Sequence, residues 1–128
     1  MLNIKQAYLA MFYLLDEHFW ETTKNDSLGG LLGSLDPCLS VGMRIFGGNN
    51  PAFPATWQDW LESVRKISDS DLLSNEESFQ SIVIFLKLYM TEFGFEIGWI
   101  LDEMKNISLN HEIWLSSVKK SIEVSKLY

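Results

Sequence analysis

The chain has 128 residues, 47% of them hydrophobic and 13% aromatic, enough apolar material for one substantial core and not for two independent ones. Ten Lys and Arg stand against 17 Asp and Glu, a formal charge of -7, which argues against direct contact with a phosphate backbone and favours a basic protein partner. The single cysteine, Cys38, excludes an intramolecular disulfide and suits a reducing cytoplasm, the expected location; with only His18 and His111 besides, a His/Cys zinc site lacks ligands, so no metal or cofactor is expected.

From the N-terminus, Lys5 followed by apolar residues 7–15 loosely imitates a secretion signal. Asp16 and Glu17 follow at once with no small-residue cleavage pattern, so the stretch reads as a helix of the mature protein. Ile4, Tyr8, Met11, Phe12, Leu15 and Phe19 fall on one stripe and predict a helix over residues 3–22. Asp16, Glu17, His18 and Glu21 cluster on it, but the Glu-x-x-His pattern that a di-iron bundle needs on two helices is absent.

Residues 25–37 read NDSLGGLLGSLDP. A phosphate-binding loop needs a preceding strand and a closing Gly-Lys-Ser/Thr, and neither is present. Asp26 or Ser27 is expected to cap a short helix whose Leu28, Leu31, Leu32 and Leu35 share a face, with Gly29 admitting a close neighbour. Residues 36–55, punctuated by Pro37, Gly42, Gly47, Gly48, Pro51 and Pro54, read as a loop that still carries Ile45, Phe46 and Phe53. Such a loop either folds back over the core or presents anchors to a partner. Trp57 and Trp60 open a third helix.

Ser74, with Glu77 three residues later, has the arrangement of a capping box, and Phe79, Ile82, Val83, Leu86 and Met90 continue it as a second long helix. No uncharged apolar run reaches the roughly 20 residues that span a bilayer. Strand-like alternation is nowhere sustained, so the class is all-α.

Sliding the chain against itself reveals an ordered correspondence. Tyr8, Met11, Leu15 and Glu21 fall on Phe79, Ile82, Leu86 and Glu92; Leu28-Gly29 falls on Ile97-Gly98; Trp60 to Lys66 falls on Trp114 to Lys120 with five of seven residues identical. Helical bias reproduces apolar spacing but not a Gly, a Trp and a Ser-Val-x-Lys in register. The expectation is a single domain of about six helices made of two tandem, diverged three-helix repeats, approximately residues 4–67 and 75–123.

Charge is uneven. Residues 1–67 hold seven acidic and five basic side chains, a net of -2, whereas residues 69–103 hold eight acidic side chains against Lys87 alone, a net of -7. A solvated face or a docking surface for a basic protein would both produce this.

Ala7-Tyr8, Ala10-Met11, Thr22, Asp26, Leu28-Gly29, Leu31-Leu32-Gly33, Ala55, Trp57 and Asp59-Trp60 form a pattern over residues 4–67. It resembles the small helical immunity proteins of bacterial contact-dependent inhibition and polymorphic toxin systems. The resemblance implies a cytoplasmic, non-enzymatic antitoxin that binds the C-terminal domain of a cognate toxin, a basic nuclease, without touching nucleic acid or membrane itself. Glu92, Glu96, Asp102 and Glu103, with Ile45 and Phe46 from the long loop, are the expected toxin contacts. The alternatives are a non-enzymatic interaction or regulatory module, and an acyl-carrier-like protein modified at Ser27, whose Asp-Ser-Leu is similar to the phosphopantetheine site of acyl carriers. No catalytic constellation can be assembled from these residues.

Overall fold

The structure is a computed structural model and describes residues 1–35, 54–107 and 111–126. Among the described residues it is an all-α bundle of six helices: α1 (Ile4–Tyr13), α2 (Asp26–Leu35), α3 (Pro54–Arg65), α4 (Asn75–Phe93), α5 (Gly98–Met104) and α6 (Glu112–Ser125). α1 runs without a break into a π-helical stretch, Leu14–Trp20, and a closing α-helical turn, Glu21–Thr23. The only strand character among the described residues is a two-residue antiparallel bridge of β1 (Leu2–Asn3) with β2 (Leu72–Leu73). Residues 36–53, most of the segment 36–55 expected as a loop and with it Cys38, Ile45 and Phe46, lie outside the described residues.

Both long helices start with the same local chemistry. Asn3 Oδ1 accepts from the Gln6 N–H at 2.7 Å while Gln6 Oε1 accepts from the Asn3 N–H at 2.9 Å. Ser74 Oγ and Glu77 repeat this reciprocal pair at 3.0 and 2.9 Å, 71 residues on. Each box satisfies amides that the first helical turn would otherwise leave without partners. The Ser74 N–H bond also holds the Glu77 carboxyl below its usual pKa, against the pull of burial.

α1 is the central helix. Ala7, Tyr8, Leu9, Ala10, Met11 and Tyr13 are buried, and so are Leu14, Leu15 and Phe19 beyond it. It is therefore wrapped on most sides, the expected environment for a helix with so few polar positions. Its main packing partner is α6, and the main partner of α4 is α3. In the division into repeats expected from the sequence, the first helix of each half would rest on the third helix of the other. The bridge obeys the same exchange: Leu2 pairs with Leu73, its own counterpart at the 71-residue offset.

Trp60 and Trp114 are fully buried, each meeting the stripe aromatic of its own half edge-on, Tyr8 at 6.0 Å and Phe79 at 5.4 Å. The Trp60 indole N–H donates to the Ile4 carbonyl at 3.2 Å; that of Trp114 is buried with no acceptor among the described residues.

Three local readings change. The cap of α2 is Asn25, whose side chain accepts from the Leu28 N–H at 3.1 Å, rather than Asp26 or Ser27, which are already inside the helix. Close approach holds at Gly29, where a Cβ would lie 3.1 Å from the Trp20 ring, but at Gly98 a Cβ would meet Met90 Sδ at an ordinary 3.6 Å. The first helix is not uniformly α, because seven residues adopt the wider π form.

Candidate functional site

Two clefts on the described surface lie along the two long helical stretches. One, of ≈ 440 Å³, is lined by Tyr13, Glu17, His18, His111, Glu112 and Ile113 together with Ser116 and Ser117. It lies where the π-helical stretch passes the start of α6. Glu17 forms an ion pair with Lys120, whose ammonium also sits 4.5 Å from the centre of the Tyr13 ring. His18 packs edge-on against Phe19 at 4.8 Å. Although this cleft gathers both histidines, no group of three or more His, Cys, Asp or Glu among the described residues could hold a metal ion.

The second cleft, of ≈ 370 Å³, is lined by Ser34, Thr56, Asp59, Tyr89, Phe93 and Phe95. Its geometry follows from how α4 ends. Gly94 takes a left-handed conformation, φ 72°, which a side chain would resist, and its N–H returns to the Tyr89 carbonyl. The chain is thereby turned so that Phe95 folds back over Tyr89, rings nearly parallel at 18° and 6.1 Å apart. Phe85 stacks on the other side of Tyr89 at 4.5 Å, and Phe93 is tilted against it at 4.8 Å. α3 brings Asp59, whose Oδ2 accepts from the Tyr89 hydroxyl at 2.9 Å. Burial pushes the Tyr89 phenol up to about 12; the Asp59 hydrogen bond and charge add to the rise, and a Thr56 hydrogen bond opposes it.

The expected contact residues separate around this end of the molecule. Glu92, Glu96, Asp102 and Glu103 are all exposed. Glu92 and Glu96 flank the Phe93-Gly94-Phe95 turn in the chain. Asp102 pairs with Lys105 across 3.5 Å on α5. Glu103 lines a further cleft of ≈ 300 Å³ with His18, Phe19, Thr22, Thr23 and Trp99. The four carboxylates thus occupy one stretch, 92–103, without converging on one cleft. Ile45 and Phe46 lie outside the described residues.

Asp59 and Tyr89 were not among the expected contacts. Asp59 was visible only as part of the Asp59-Trp60 pair, and nothing in local spacing joins it to a tyrosine 30 residues away. Among the described residues, no helix is long and apolar enough to cross a membrane. Comparison with known protein families, with curated proteins and with solved structures returns no match.

Proposed function

We propose that this chain is a cytoplasmic immunity protein, built on a duplicated three-helix unit, that binds a cognate bacterial toxin domain and blocks it. The observation that carries this reading is the exposure of Glu92, Glu96, Asp102 and Glu103 along one helical end of a chain of net charge -7. A nuclease that holds nucleic acid needs a basic surface, and an acidic surface fixed by helices is complementary to it. Charge of this kind steers encounter, while a few desolvated anchors set the lifetime of the complex. The pattern over residues 4–67 that resembles immunity proteins points the same way, and the reciprocal packing of the halves is what a duplicated unit would leave behind.

Co-expression with the toxin encoded directly upstream tests the function: cells should survive in its presence and die without it. Replacing Glu92, Glu96, Asp102 and Glu103 together by Lys should slow association at low salt by roughly tenfold or more, an effect that fades as salt rises. An association rate unmoved by the fourfold reversal would reject this face as the docking surface.

A further inference from the structure

We propose that the cleft formed by Asp59, Tyr89, Phe93 and Phe95 receives the guanidinium group of a single arginine presented by a basic protein partner. This deepens the immunity reading and rests on it for the identity of the partner. The cleft combines the two features that recognise a guanidinium: aromatic faces on which the planar cation can stack, and a carboxylate that accepts its N–H groups in pairs. Phe93, 59% exposed, and the partly exposed Phe95 supply the ring faces, while Tyr89, 5% exposed and stacked on Phe85 and Phe95, backs them. Asp59 is half-buried at the wall. Its Oδ2 is oriented by the Tyr89 hydroxyl, and an ionised carboxylate has acceptor capacity beyond that one bond.

The volume, ≈ 370 Å³, is at the small end of ligand clefts, which run from roughly 300 to 1,000 Å³, and suits one side chain better than a cofactor. None of the six lining residues is basic, and Glu92 and Glu96 bracket the turn that carries Phe93 and Phe95, so the local charge draws a cation inward. An ammonium is more strongly hydrated than a guanidinium and cannot stack, which selects arginine over lysine.

The aligned positions of the other half lack this pair. There His18 stands where Tyr89 does, and Ile113 where Asp59 does, so the acid–phenol pair is present once.

The test uses the full chain and needs no toxin. Titration with N-acetyl-arginine N-methylamide, followed by NMR, should shift the resonances of Phe93, Gly94, Phe95 and Asp59 saturably, and the neutral N-acetyl-citrulline N-methylamide should not. Asp59→Asn, which keeps an acceptor for Tyr89, should weaken the probe at least tenfold; Phe95→Leu should weaken it severalfold; Glu76→Gln, at an exposed carboxylate at the start of α4, should leave it within twofold. Equal binding of the citrulline probe, an unchanged affinity in Asp59→Asn, or shifts spread over the surface carboxylates without saturation would each overturn the proposal. So would tighter probe binding in Arg44→Ala, which would identify an arginine of the chain itself as the occupant. A negative titration with intact protection in cells refutes the cleft alone, and a positive one without protection refutes the toxin reading alone.

Discussion

Tyr89 has 5% of its surface exposed and its hydroxyl donates a hydrogen bond to Asp59. The unfolded phenol ionises near 10, whereas in the fold it stays protonated to about 12. A group whose folded pKa is raised contributes stability that is intact below its unfolded value and is lost as pH rises through the folded one. The protein should therefore lose stability between pH 10 and about 12. Denaturant midpoints measured across that window should fall more steeply for the unaltered chain than for Tyr89→Phe, and parallel curves would show that the phenol does not contribute. The same residue marks a limit of sequence reading. Helical spacing marks Leu86 and Met90 on its helix as core-facing and passes over Tyr89, whose hydroxyl partner comes from another helix, and no periodicity encodes which polar groups two separately amphipathic elements bring into register. Trp60 and Trp114 illustrate the point again, since they occupy the same place in an aligned segment and, among the described residues, only Trp60 has a carbonyl within reach of its indole.

Helix ends were more legible than helix interiors. Ser74 with Glu77 was readable from two residues at fixed spacing, because a capping box is a local geometry. The cap of α2 was not, because Asn25, Asp26 and Ser27 are three consecutive residues with capping side chains and their order alone does not choose among them. The π-helical stretch Leu14–Trp20 left no signal either: Leu15 and Phe19 satisfy the α spacing equally well. One helix end carries strain that can be relieved. After Thr23 the chain turns through Lys24 in the left-handed region at φ 48°, where the second half uses Gly94. Lys24→Gly should raise stability by about 0.5–1 kcal/mol, because glycine meets no Cβ penalty there. The lysine side chain itself contributes little, only an exposed ion pair with Glu21 at 3.9 Å and a 5.6 Å approach to the Trp20 ring. A lower unfolding midpoint in the variant would contradict this.

At the scale of the whole molecule, the all-α class and the order of the helices were legible, and the way the halves are joined was not. Apolar stripes say that a helix has a face to bury; they do not say whose. Here α1 buries that face chiefly on α6 and α4 on α3, so each half completes its core with a helix from the other. Residues 1–67 expressed alone should consequently fail to fold. Leu9, Met11, Leu14 and Leu15 are buried in the intact chain, and at roughly 2 kcal/mol for each such side chain their full exposure would cost up to about 8 kcal/mol, comparable with the entire stability of a domain. Circular dichroism and dilution of the fragment should find either little helix or a self-associated form; a cooperatively folded monomer would refute the exchange as an energetic necessity.

The packing of α1 on α6 also sets a clock. α1 leaves the ribosome about 100 residues before α6, and at roughly 5–20 residues per second the earlier helix waits on the order of 5–20 s for the surface that covers it. Contacts so distant along the chain form late, and until then nascent α1 exposes an almost wholly apolar cylinder. Completion of the fold is thereby tied to the emergence of α6, and a chain terminated before it would lack not only that helix but the shelter of α1.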